Sequence, residues 1–208
     1  MKLVDLTVNS YLDILKSNAP APGGGSVSAL AGAQAVGLVM MVTDLTIGRE
    51  KYADYQEVCK EAKEKGAVLF EKLTKAIDED TDAYNLVANA FKMPRETEEE
   101  KTARKQAIAD GTMVATQIPY NVMGYAYEGL LLTKTMIGKS NPNATSDLGV
   151  AALGLLSAVK GAWLNVKINL PGVKDENKAK AFAEEGQKIC KESEMLANAI
   201  YEEIANQL

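Results

Sequence analysis

Two features of this 208-residue chain can do chemistry: carboxylates set into apolar helix stripes, and a run of glycines at the start of a helix. Leu73, Ile77, Tyr84, Val87 and Phe91 recur at helical spacing, and the missing step is filled by Asp80. Burying that carboxylate costs several kcal/mol unless it is paired or hydrogen-bonded. It either ties helices together through serine or backbone donors, or acts as a general acid/base tuned by burial. Asp78 and Asp82 fall outside the stripe and read as solvated acids. A second stripe, Asp147, Ala151, Gly154, Ala158, Gly161 and Asn165, keeps its polar members at the ends, ~27 Å apart along a helix axis. One small substrate cannot touch both ends in one chain, unless an antiparallel copy brings the far end round. Asn165 and Asn169 stand one turn apart, suiting a paired amide clamp on a heterocycle, whereas Asp147 reads equally as a first-turn acid favoured by the helix dipole.

Pro20-Ala21-Pro22-Gly23-Gly24-Gly25-Ser26 leads into a stretch of small and apolar residues, 27–42. The prolines disfavour helix before them, the glycines permit left-handed angles, and Ser26 is placed to cap the helix that follows. Bare N–H groups at such a start favour a carboxylate, phosphate or oxyanion. A plain, well-capped loop is the simpler alternative.

Net charge is −5, with charges of both signs mixed along the chain, which excludes the basic stripe that nucleic acid requires. There is no histidine, so any proton transfer falls to a carboxylate, Lys, Tyr or Cys. Cys59 and Cys190 lack metal-ligand spacing, and Glu98, Glu99 and Glu100 form a solvated first turn, so no metal is expected. Without a signal peptide, a reduced, cytoplasmic setting is expected. The apolar stretch after the glycines holds Gln34 and many small residues, which predicts a buried helix rather than a membrane span.

Periodicity predicts an all-α, single-domain chain over 1–208, an up-and-down bundle of about six helices. The helices are expected at 10–16, 26–48, 52–91, from the Thr97/Glu100 capping box with a kink at Pro119, at 146–169, and from 175. The Gly/Ala stripe of the fifth helix and the apolar second helix offer more close-packing surface than a monomer needs, which predicts a homodimer.

The ordered motifs Pro22-Gly23-Gly24-Gly25-Ser26, Leu45-Thr46-Ile47-Gly48-Arg49, Asp80 with Ala83-Tyr84, Pro94 with Glu98-Glu99-Lys101, Asn141 with Ser146-Asp147, and Asn165-Val166-Lys167-Ile168-Asn169 resemble those of the cyclodeaminase/cyclohydrolase family. The resemblance spans nearly the whole chain. It implies an all-helical homodimer, its pocket near the subunit interface, acting on a one-carbon group carried by tetrahydrofolate, with no tightly bound cofactor. Asp44 departs from the pattern, where an uncharged residue is usual, and Lys167 sits at a variable position.

The resemblance also implies the site. Asp80 and Asp147 are the catalytic candidates. The substrate-binding candidates are Pro22, Gly23, Gly24, Gly25, Ser26, Arg49, Lys51, Tyr84, Asn141, Ser146, Asn165 and Asn169, with Arg49 and Lys51 joining the glycine amides on the glutamate carboxylates of the folate tail. The leading activity is the cyclohydrolase, in which water opens a methenyl bridge. The alternatives are the cyclodeaminase, in which a ring closes and ammonia leaves, and a non-catalytic folate-binding scaffold.

Overall fold

The computed structural model describes residues 2–208, and among them the chain is helical throughout, with six α-helices and no strand. These are α1 (Val8–Leu15), α2 (Gly24–Asp44), α3 (Gln56–Lys92), α4 (Glu98–Met136), α5 (Thr145–Asn169) and α6 (Glu176–Ala205). Short 3₁₀ turns at Leu3–Asp5, Glu50–Tyr55, Pro142–Ala144 and Leu170–Gly172 join or precede them. The predicted boundaries hold to within a few residues, except that 50–55 is a 3₁₀ turn and α2 begins two residues earlier and ends sooner than expected.

Helices α2, α3, α4 and α5 form a ring of four, each packed on the next and α5 closing back on α2, while α6 lies in the groove between α4 and α5. Helices next to each other in the chain run antiparallel (Met40 meets Gly66 where Ser26 meets Asp80, and Gly129 meets Leu155 where Ala115 meets Asn169), whereas α4 and α6 run parallel, Tyr120 meeting Glu185 and Lys134 meeting Glu203. The core is built on Val36, Leu73, Met123, Leu130, Leu148, Leu155 and Ile200. Ion pairs between Lys160 and Glu194 and between Lys134 and Glu203 lace α6 to the ring.

The small-residue stripe of α5 is used within the chain. A Cβ on Gly154 would lie 3.0 Å from the Ala35 Cβ, and one on Gly161 would lie 2.4 Å from Ser28 Oγ, so α2 fills the close approach that the stripe allows. The sequence argument that assigned this surface to a second copy therefore fails. Apolar residues nevertheless remain on the outer sides of the same two helices: Val27 and Met41 on α2, and Val150, Leu153, Leu164 and Ile168 on α5.

Helix α4 opens with the predicted capping box: the Thr97 side chain accepts from the Glu100 N–H, and the Glu100 carboxylate accepts from the Thr97 N–H. It then runs unbroken through Pro119. Proline removes one helical hydrogen bond, here the bond to the carbonyl of Ala115 four residues earlier. Asn169 Nδ2 donates to that carbonyl at 2.8 Å and replaces the missing donor.

Candidate active site

The glycine turn meets Asp80 where α2 starts. Gly23 is the residue before the helix, with φ −124° and no side-chain cap, so Ser26 is not the cap but the third helical residue. Its N–H donates to Asp80 Oδ2 at 2.8 Å, and its hydroxyl lies 3.0 Å from the same oxygen and 2.9 Å from the Ile77 carbonyl. The anion at this helix start is thus the protein's own carboxylate. Asp80 Oδ1 has no hydrogen-bond partner among the described residues.

Positive φ is not why glycine is required here, because among the described residues only Gly48 and Gly138 adopt it. Close approach is the reason. A Cβ on Gly25 would lie 1.9 Å from Asp80 Oδ1 and 2.4 Å from its Cγ, and one on Gly24 would lie 3.3 Å from Asn165 Nδ2, while Gly23 faces open space. Burial pushes the Asp80 carboxyl above the ordinary carboxylate range, and the Ser26 hydroxyl and N–H pull it part of the way back. A raised pKa and one free oxygen suit an acid/base group.

Asn165 belongs to this end of the bundle, beside Gly24, and its Nδ2 donates to the Gly161 carbonyl at 2.9 Å. Asn169 follows one turn later, but its amide serves the Pro119 gap, so the two asparagines are not a matched clamp. Pro22 is buried, in a cis peptide bond with Ala21. Tyr84 lies one turn past Asp80 on α3 and is 42% exposed, as Phe91 is at 56%. The expected apolar seam ends there because α2 begins opposite Asp80, so α3 has no α2 neighbour beyond it. Asp78 is not simply solvated: its Oδ1 accepts from the Leu3 N–H at 2.6 Å and clips the N-terminal turn to α3.

The remaining candidates are elsewhere. Arg49, Lys51, Asn141, Ser146 and Asp147 cluster beyond the other end of α2, whose 21 residues put ~30 Å between the two groups. Arg49 and Lys51 therefore cannot join the glycine amides on one ligand within one chain. The Arg49 Nε donates to the Leu45 carbonyl, and Lys51 Nζ stands 5.6 Å from the Tyr52 ring centroid. Asn141 is a structural knot: Oδ1 accepts from the Tyr52 hydroxyl and the Asn143 N–H, and its N–H donates to Thr46 Oγ1. Ser146 is exposed, and Asp147 sits in the first turn of α5, where a dipole-favoured acid belongs. Asp44, the departure from the motif, pairs with Lys63 at 2.6 Å.

Sequence reasoning missed Tyr11. It is the single buried residue of α1, 7% exposed, and its hydroxyl has no hydrogen-bond partner among the described residues. Burial raises its pKa, and the negative charge of Asp80 raises it further. Nothing in the local sequence marks it, since one tyrosine in an eight-residue amphipathic helix carries no signal of what it will face.

The all-helical bundle thus carries a half-engaged carboxylate at a glycine-lined helix start, an arrangement that suits acid/base chemistry. Residues 7–188 match the family model for formiminotransferase-cyclodeaminase. A methenyltetrahydrofolate cyclohydrolase of Methylorubrum extorquens is 36% identical over 97% of both chains. The formimidoyltransferase-cyclodeaminase of Rattus norvegicus is 29% identical over 84% of this chain, which spans only 32% of that protein. A formiminotetrahydrofolate cyclodeaminase structure from Thermotoga maritima superimposes with a TM-score of 0.79 at 23% identity, covering 98% of this chain and 96% of that one. The chain belongs to the formiminotransferase-cyclodeaminase family.

Proposed function

We propose that this protein is a methenyltetrahydrofolate cyclohydrolase in which Asp80 is the proton carrier, and that a tetrahydrofolate derivative is its substrate with no tightly bound cofactor. The carrying observation is the Asp80 carboxylate, fixed through Oδ2 by Ser26, free at Oδ1 and shifted toward protonation. Full-length similarity to a cyclohydrolase supports the substrate.

In this reading a water oxygen bonds to the cationic carbon bridging N5 and N10, and one water proton passes to Asp80. The C=N π pair settles on nitrogen, giving a neutral adduct. Asp80 returns its proton to N5 as the C–N5 bond breaks toward N5, and loss of the adduct's hydroxyl proton leaves the 10-formyl group. The anionic form of Asp80 also stabilises the starting cation, a larger effect where water is excluded. In the same reading the Asn165 amide, beside Gly24, holds the pterin edge. The relatives named for cyclodeaminase chemistry favour one second reading, in which N10 attacks a formimidoyl carbon on N5 and Asp80 protonates departing ammonia.

The proposal includes a homodimer. The exposed apolar side chains of α2 and α5 support an antiparallel pairing that would carry the Arg49 and Asp147 end of one subunit to the Asp80 end of the other. A cytoplasmic setting accompanies it, with both cysteines free.

The test follows loss of the methenyl chromophore with purified protein, then ammonia release from the formimidoyl substrate. Asp80→Asn should lower the first rate by ~10²–10⁴-fold while the fold remains cooperative. Activity in Asp80→Asn within twofold of the unaltered protein discards Asp80 as catalyst, and binding without turnover of either substrate identifies a scaffold.

A further inference from the structure

Ser26 has one hydroxyl proton and two acceptors close by, the Ile77 carbonyl at 2.9 Å and Asp80 Oδ2 at 3.0 Å. The residue is wholly buried, so bulk water does not decide between them. The Ile77 carbonyl already accepts the helical N–H of Thr81, four residues on, and does not depend on Ser26. Turned onto that carbonyl, the Ser26 hydroxyl would present a lone pair to Asp80 and could hold a proton on Oδ2. A third group tips the choice. Thr81 Oγ1 stands 3.3 Å from Ser26 Oγ, and the threonine hydroxyl has no other hydrogen-bond partner among the described residues. A proton donated from Thr81 competes for the Ser26 lone pair and polarises the serine O–H toward the carboxylate, since donors in a chain strengthen one another. Oδ2 then accepts twice from Ser26, from its N–H at 2.8 Å and from its hydroxyl.

We infer that Thr81 is a positioning residue of this site, its hydroxyl donating to Ser26 Oγ and so turning the Ser26 hydroxyl onto Asp80 Oδ2. The inference rests on the cyclohydrolase reading. An oxygen that already accepts two hydrogen bonds is the poorer proton site, so Asp80 takes and returns the substrate proton at Oδ1, the unpartnered oxygen that lies over Gly25. Thr81 and Ser26 keep their own protons throughout: one proton passes from water to Oδ1, and the same oxygen delivers it to N5. Without Thr81, a share of the molecules would hold the proton on Oδ2, facing Ser26 and out of use.

The test compares Thr81→Val, which keeps the branched shape without the hydroxyl, with Thr81→Ser, which restores the hydroxyl, and with Ser26→Ala. Each is measured for kcat, KM and the pH dependence of kcat/KM on the methenyl substrate, and for Tm. Losing a hydroxyl donor to an anion raises a carboxyl pKa, so the acid limb of the profile should move up by about one pH unit in Ser26→Ala and by a smaller step the same way in Thr81→Val. Around Asp80, α2 and α5 bring Ser26 and Asn165, which do not titrate, and Tyr11 of α1 is kept protonated by burial. On α3 itself, Asp78 is bonded to the Leu3 N–H, Glu79 is paired with Lys75, and Asp82 is exposed. In Thr81→Val kcat should fall by ~10-fold with KM within about twofold, and Thr81→Ser should recover most of the loss. Should the valine variant not fold, Thr81→Ala takes its place. An unmoved limb in the Thr81 variant, in a preparation where Asp80→Asn is strongly impaired, overturns the role of Thr81 and leaves the cyclohydrolase reading standing. A kcat loss that comes with a falling Tm and an unmoved limb makes Thr81 a packing residue and overturns it equally. Unaltered protein that does not consume the methenyl substrate sinks that reading, and this inference with it.

Discussion

Adding one methyl group at each glycine of the turn should give three different outcomes, because the three sites face different surroundings. Gly23→Ala points into open space and should be silent in rate and in melting. Gly24→Ala approaches Asn165 Nδ2 at 3.3 Å, a contact that a small rotation of a side-chain amide relieves. Gly25→Ala cannot be accommodated, since its Cβ would lie 1.9 Å from Asp80 Oδ1 and 2.7 Å from Oδ2. Carbon and oxygen do not approach within about 3 Å without a bond, so the carboxylate must move by ~1 Å or more. That breaks its geometry with Ser26 and orphans a buried N–H, at a cost of ~1–3 kcal/mol. At ~2–4 °C per kcal/mol for a chain of this size, Tm should fall by up to ~10 °C. Displacing an acid/base group by ~1 Å should cost ~10²-fold in kcat. The assay pairs thermal melting with decay of the methenyl chromophore for all three variants. A Gly25→Ala protein that melts and turns over like the parent would show that Asp80 does not sit over this turn, and the site would have to be rebuilt.

Asn169→Ala should destabilise by ~1–3 kcal/mol by leaving the Ala115 carbonyl unpaired, and in a Pro119→Ala background that loss should largely vanish, because the helix then supplies the donor; an additive double-mutant cycle in urea refutes the link. Asp80 has a folded-state pKa above its unfolded value, so its ionisation opposes folding: stability should decline as pH rises from the ordinary carboxylate range through the raised one, and this slope should be absent in Asp80→Asn when Tm is scanned against pH. Tyr120 is pushed up to about 12 by burial and by its bond to Glu185, so stability should hold up to about pH 10 and fall above it, and Tyr120→Phe should flatten that alkaline limb of the melting curve. Arg49→Ala should raise KM without touching the parent's own Asp80 only if an antiparallel copy supplies Arg49; an unchanged KM in a light-scattering dimer removes that arrangement.

The sequence revealed most where one residue breaks a pattern. Asp80 stands out because a charge interrupts an apolar period, and Thr97 with Glu100 announces a helix start without tertiary help. What it concealed depends on lengths and partners. Arg49 and the glycines read as neighbours in function, yet a 21-residue helix separates them, a distance available from the chain by counting rise per residue. Ser26 looked like a cap because serine before a helix usually is one, but its hydroxyl was recruited by α3. Asn169 had a legible cause that went unread: a proline inside a helix orphans the carbonyl four residues before it, and some donor must answer. Tyr11 was beyond reach, since only the folded bundle decides which face of a short helix is covered.

Because Asp80 already answers the positive end of α2, the site sorts incoming molecules by the sign of their charge. A phosphate, sulfate or carboxylate arriving there would meet a tethered carboxylate in a poorly solvated setting and be repelled, whatever the helix offers it. An amidinium or other flat cation would meet an unengaged oxygen. Competitive inhibitors of this protein should therefore be sought among delocalised cations, and crystallisation salts rich in oxyanions should leave the start of α2 alone.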